Sequence, residues 1–149
     1  MKFFAAVLVL CVASASAAVL KDKTEDEFFT ASAACAKKLQ IDDSHLAKFQ
    51  ELDYPNDKTT QEFLHCLWTG MDLFNDEIGY NVENIAFLYK DKANSEVLIP
   101  ILSECNKKEA NDSTLSWLYR GFQCIMSSKV GQWFKEDIAK KQAALAASS

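Results

Sequence analysis

Four cysteines constrain this chain more than any other feature. Cys35, Cys66, Cys105 and Cys124 are separated by 30, 38 and 18 residues, so the close C-x2-C pairs of a zinc site are missing. A fifth, Cys11, sits in a segment laid out like a secretory signal peptide. Lys2 supplies the positive start, Phe3 to Val12 an unbroken apolar run, and Ala13 to Ala17 small residues that offer cleavage after Ala15 or Ala17. That run is about half of the roughly 20 apolar residues a bilayer span requires. Removal of residues 1–17 leaves an even set of cysteines in a short secreted chain, the pattern of two disulfides. Four cysteines allow three connectivities, and their spacing does not choose among them. A bridge closing about 20 to 30 residues contributes about 3–4 kcal/mol in the chain-entropy account.

The rest of the chain, residues 18–149, reads as one all-α domain. Alternating strand patterns and Asn-Gly or Asp-Gly hairpin turns are not evident, so no strands are predicted. Thr24 with Glu27 makes a capping box ahead of Phe28, Phe29, Ala33 and Leu39. Asp43 or Ser44 is placed to cap a short helix carrying Leu46, Phe49 and Leu52, stopped by Tyr54-Pro55. Thr59 with Glu62 is a second capping box, leading into Phe63, Leu64, Leu67, Met71 and Phe74. Gly79 marks a turn, and Val82, Ile85, Ala86, Leu88 and Tyr89 form the next apolar stripe. Ser95 starts a segment with Val97, Leu98, Ile101 and Leu102, in which Pro100 marks a kink or the true start. Asp112 or Ser113 caps the strongest pattern: Leu115, Leu118, Tyr119, Phe122, Ile125 and Met126. Val130, Trp133, Phe134 and Ile138 continue it beyond Gly131, and a frayed tail is expected from about residue 143. The count is six or seven short helices, with each of the four cysteines on one of them. Disulfides would therefore staple helix to helix.

Composition and motif census narrow the function. A net charge of −5, or −6 once Lys2 leaves with the signal, speaks against nucleic-acid or anionic-membrane partners, which select clustered Lys and Arg. His45 and His65 are the two histidines. His65-Cys66 would need a reduced thiol to act as a nucleophile pair, and no nucleophile elbow, phosphate loop, dinucleotide fingerprint or zinc-protease motif is present. An enzyme is not expected, and neither a cofactor nor a metal. Either histidine is expected to charge as pH falls through about 6.5 and to loosen a helix cap. Asn111-Asp112-Ser113 is an N-glycosylation sequon in a polar loop. Trp68, Trp117 and Trp133 with ten Phe exceed what amphipathic helices require. They serve either as a large core or as the wall of an apolar cavity.

With these features together, the chain resembles the insect odorant-binding proteins, secreted all-α carriers of small hydrophobic molecules. The family pattern has six cysteines, the second and third three residues apart and the fifth and sixth eight apart. Cys35, Cys66, Cys105 and Cys124 match the first, third, fourth and sixth. The second and fifth, which are partners in the family, would fall at Glu62 and Leu115, as in the four-cysteine "minus-C" subgroup known in flies and other insects; a dipteran source fits. The resemblance implies a compact helical bundle stapled by the pairs Cys35–Cys66 and Cys105–Cys124 around an apolar cavity. It implies that the first, third, fourth, fifth and sixth helices line that cavity. Its lining would be Phe63, Leu67, Met71, Ile85, Leu88 and Tyr89, then Leu98, Leu102, Trp117, Leu118, Phe122 and Met126. Val130, Trp133 and Phe134 would close it, and the Thr69 hydroxyl would hold an alcohol ligand.

The function so implied is transport of odorants, pheromones, fatty acids or similar molecules in sensillar lymph, haemolymph or another secreted fluid, without membrane insertion. A chemosensory receptor or a second copy of the chain is the protein partner to consider. The rival expectation, from a different class, is a secreted helical signalling or interaction factor that uses an exposed apolar patch and has no ligand cavity.

Overall fold

Helix caps set the element boundaries. The computed structural model describes residues 25–149; the signal segment, Cys11 and the expected Thr24 cap lie outside the described residues. Seven helices run α1 (Glu25–Leu39), α2 (Asp43–Gln50), α3 (Lys58–Gly70), α4 (Val82–Leu88), α5 (Ser95–Cys105), α6 (Thr114–Ser127) and α7 (Lys129–Ala147). The Asp42 carboxylate accepts from the backbone N–H of His45 and so caps α2. The expected caps, Asp43 and Ser44, lie one and two residues inside the helix. Likewise Asp57 caps α3 by accepting from Thr60 N–H, in place of the Thr59–Glu62 box. Ser113 caps α6 as expected.

Three further boundaries differ from the sequence pattern. Helix α2 ends at Gln50, and Leu52 has a left-handed φ of 58°, so the turn precedes Tyr54-Pro55. The break between α6 and α7 lies at Ser128, which ends one helix and caps the next; Gly131 is inside α7. The chain from residue 143 is helical to Ala147 rather than frayed, because Lys, Gln, Ala and Leu are strong helix formers. Pro100 sits within α5, so that helix runs through it without an N–H to offer Glu96.

Strands are not wholly absent. Phe74–Asn75 (β1) and Gly79–Tyr80 (β2) pair antiparallel, with Phe74 opposite Tyr80. Gly79 takes φ +79° to allow the turn. Two residues per strand are too few to show period-2 alternation, which is why the pattern does not betray them.

The helices pack as α1 on α3, α3 on α6, α4 on α5 and α6 on α7. Two disulfides staple them: Cys35 to Cys66 joins α1 to α3 with Cα atoms 5.9 Å apart, and Cys105 to Cys124 joins α5 to α6 at 5.4 Å. One core fills the middle. Phe49 stacks on Phe63 (centroids 4.4 Å) and on Tyr54 (5.2 Å), and Tyr54 meets Phe122 edge-on. Around it, Leu98, Leu102 and Leu118 are buried, and Trp117 meets Phe74 edge-on. Three buried ring donors are tied to backbone: Tyr80 Oη donates to Leu118 O at 2.5 Å, Tyr119 Oη to Tyr54 O at 2.8 Å, and Trp117 Nε1 to Asn106 O at 2.9 Å. No described helix is long and apolar enough to cross a membrane.

Candidate ligand-binding site

A cavity of about 100 Å³ opens between α1, α3, α4, α6 and α7. Helical spacing builds its wall. Leu67 and Met71 lie four residues apart at the end of α3, with Trp68 and Leu73 beside them. Ile85 and Leu88 project from α4, with Tyr89 at its C-terminus, and Ile125 and Met126 from the last turn of α6. Helix α7 supplies Val130, Phe134, Asp137 and Ile138, which lie at i, i+4, i+7 and i+8 on one face. Phe28 from α1 closes the circuit, its ring edge-on to Phe134 with centroids 5.2 Å apart.

The single charged side chain in this wall is Asp137. It is partly exposed (24%), which places it at the rim. Lys92, from the turn after α4, donates to both of its oxygens at 2.7 and 2.8 Å. The same ammonium lies 5.8 Å from the centre of the Tyr89 ring, and Tyr89 in turn packs near Trp133. The rim is thus an ion pair set against two aromatic rings, and everything deeper is apolar.

Against the residues expected from sequence, the structure divides them by location. Leu67, Met71, Ile85, Leu88, Tyr89, Met126, Val130 and Phe134 meet at the cavity. Phe63, Leu98, Leu102, Trp117, Leu118 and Phe122 are buried instead in the packed core, and Trp133 lies behind Tyr89 outside the wall. Helix α5 contributes nothing to the cavity, a correction to the expected set of lining helices, whereas α7, from which Val130, Trp133 and Phe134 were expected to close it, supplies Val130, Phe134, Asp137 and Ile138. Thr69 is exposed on the surface of α3, so its hydroxyl is not placed to meet a ligand in this cavity. Phe28, Trp68, Leu73, Ile125, Asp137 and Ile138 were missed. Phe28, Ile125 and Ile138 stand on the apolar stripes of their helices and so carried a signal; Asp137 carried none, because a carboxylate on an amphipathic helix reads as solvent-facing.

The nucleophile pair that the sequence suggests does not form. Cys66 is in a disulfide and has no thiol for His65 to activate; His65 instead pairs with Asp76 at 2.6 Å. Among the described residues no three His, Cys, Asp or Glu gather to hold a metal ion. His45 bridges the two capping aspartates, with Nδ1 2.6 Å from Asp42 and Nε2 3.1 Å from Asp57. These hydrogen bonds hold the imidazole pKa above its ordinary value and, with the backbone bonds of the caps, both carboxylates below theirs. Asn111 of the sequon is exposed in the loop before α6.

The chain has counterparts among known proteins. The model of the PBP/GOBP family matches residues 17–128. General odorant-binding protein 99a of Drosophila melanogaster is 30% identical over 135 residues, 89% of this chain and 94% of that protein. Odorant-binding protein 22 of Aedes aegypti is 28% identical over 130 residues, 87% and 93% of the two chains. Among solved structures, AgamOBP22a in the open status for ligand binding superposes with a TM-score of 0.57 at 18% identity, over 76% of this chain and 93% of that one. Apis mellifera odorant binding protein 5 gives 0.54 at 17% identity, over 71% and 88%. At such identities the structural likeness is one of fold alone.

Proposed function

The chain belongs to the PBP/GOBP family, and on that premise we propose that it carries small hydrophobic molecules, such as odorants, pheromones or fatty acids, in the cavity between α1, α3, α4, α6 and α7. The family is one of non-enzymatic carriers, and this chain is not an enzyme. The observation that supports the cavity as the binding site is its wall, in which apolar and aromatic side chains surround a single rim carboxylate. An apolar ligand moving from water into such a wall gains roughly 25 cal/mol per Å² buried, with one polar group left to orient it.

Secretion through cleavage of residues 1–17 completes the proposal, with extracellular fluid as the working environment. The four-cysteine subgroup is the proposed placement: Glu62 on α3 and Leu115 on α6 take the sequence positions of the missing cysteine pair, and the packing of those two helices supports it. Relatives in Drosophila and Aedes support a dipteran source. A chemosensory receptor or a second copy is the proposed protein partner, and Asn111 the proposed glycan acceptor.

Native mass spectrometry of the secreted protein and titration with N-phenyl-1-naphthylamine test the carrier reading. A co-purifying lipid-like mass, or saturable probe fluorescence lost in Met126→Trp, is the expected result. Neither a bound mass nor saturable binding would sink it and favour the interaction factor.

A further inference from the structure

We propose that Asp137 is the head-group acceptor of the cavity, so that the preferred ligand is an elongated apolar molecule ending in a hydrogen-bond donor (an alcohol, phenol or amine) rather than in a carboxylate. The inference rests on the carrier reading and narrows its ligand class.

Asp137 is the single charged group in the wall, one residue before the buried Ile138 and three after Phe134. A ligand whose tail lies among Ile85, Ile125 and Val130 directs its other end to the rim, where Asp137 stands. Lys92 occupies one site on each carboxylate oxygen, whereas a carboxylate has about four acceptor sites. Acceptor capacity therefore remains on Asp137, which lines the cavity. Lys92 itself is not part of the wall and approaches from the turn after α4, held near the Tyr89 ring. Its ammonium fixes the carboxylate and balances its charge.

Two ligand chemistries then meet different surroundings. A hydroxyl or amine donates to Asp137 while the Lys92 pair stays intact. A ligand carboxylate has no donor to offer the Asp137 oxygens and meets their like charge at close range, and of the Lys92 ammonium only the third N–H is left for it. The rest of the wall carries no positive charge: its side-chain donors are the Tyr89 hydroxyl and the Trp68 indole N–H, neutral groups that only partly replace the water a carboxylate gives up.

Competition against N-phenyl-1-naphthylamine at about pH 7, where a free fatty acid is ionised, tests the assignment with 1-decanol and decanoate. The probe affinity is measured separately for each variant and used to correct the competitor constants. In the wild type, decanol should displace the probe about tenfold more tightly than decanoate, the scale of one charge-assisted hydrogen bond. Asp137→Leu should bring the two within about threefold of each other while the probe itself still binds. Asp137→Asn, which keeps an acceptor of the same shape, should retain decanol and lift the penalty on decanoate; it also serves if the leucine variant fails to fold by circular dichroism. Decanoate binding as well as decanol in the wild type overturns the proposal, as does a preference that survives Asp137→Leu, or decanoate affinity that collapses in Lys92→Met. Absence of probe binding by the wild type would instead remove the carrier reading itself, and this inference with it.

Discussion

At the residue scale, two glycines divide by what surrounds them. A Cβ on Gly131 would drive into the backbone of Met126, inside any real van der Waals contact. That close approach lets α7 begin immediately after α6 and turn Val130 and Phe134 toward the cavity. Gly131→Ala should therefore lower stability by about 1–3 kcal/mol, because backbone cannot rotate out of the way. Gly70, at the end of α3, has nothing within 4 Å of its would-be Cβ. Gly70→Ala should raise stability by up to about 0.5–1 kcal/mol. Urea unfolding of the two variants beside the wild type checks both signs at once. Tyr80 is a third kind of case: burial pushes its hydroxyl pKa well above the ordinary value, and its hydrogen bond to Leu118 O is the whole of its polar satisfaction there. Tyr80→Phe should cost about 0.5–1.5 kcal/mol. Gly79 is legible in sequence as a turn, whereas Gly131 is not, since the atom that excludes a side chain there belongs to the preceding helix.

At the scale of elements, one imidazole joins two helix starts. Asp42 caps α2, Asp57 caps α3, and His45 reaches both. The sequence pattern pointed to Asp43 or Ser44 and to the Thr59–Glu62 box, whereas the aspartates that do cap, Asp42 and Asp57, are the ones that also meet this ring. The tie reverses the expected effect of acid. His45 has a pKa raised in the folded state, so its stabilisation is fully present below about 6.5, the unfolded value, and is lost as pH rises through the folded one. Asp42 and Asp57 are lowered, so their share holds above about 3.9 and is lost only as pH falls through their depressed values. Acidification from neutral to about pH 5 should therefore tighten rather than loosen these caps. The melting temperature of the wild type relative to His45→Gln should fall as pH is raised from about 6 to about 8; a constant difference would refute the linkage. The disulfides act on the same elements. Serine replacement of Cys105 and Cys124 together should cost about 3 kcal/mol for their 19-residue separation, read from the urea midpoint.

For the whole molecule, the cavity volume decides how a ligand is accommodated. About 100 Å³ is well short of the roughly 300–1,000 Å³ of a typical small-molecule site. A ten-carbon chain must therefore displace wall, and the side chains able to give way are the half-buried ones: Phe28, Trp68, Leu88, Met126 and Phe134. The opposite walls, Leu67, Ile85, Ile125 and Val130, are buried in the core and stay. Phe28 and Phe134 put part of this yielding wall between α1 and α7, where Lys141 pairs with Asp26 across the two helices and Lys92 with Asp137. Saturating ligand at about 100 times its Kd should stabilise the fold by about 2.7 kcal/mol, visible as a rise in melting temperature. Met126→Trp, which fills the opening, should weaken probe binding by about tenfold or more while the fold is kept, as overpacking costs only about 1–3 kcal/mol.

What the sequence determined by itself is whatever depends on neighbours along the chain. Apolar spacing at 3.6 residues set the helices, and the even cysteine set, each on its own helix, made helix-to-helix staples the expectation. The halves of the wall formed by Leu67, Met71, Ile85, Leu88 and Met126 were legible for the same reason. Tertiary structure alone decided which aromatic faces meet a void and which meet each other. Phe63, Trp117 and Phe122 have the same spacing as wall residues but pack in the core, because periodicity records only that a face is buried, not what it is buried against. It also decided that α5 stays out of the wall and that Asp137, to all appearance a solvent-facing charge, stands at its rim. Those outcomes follow from helix placement, which is set by contacts far apart in the chain.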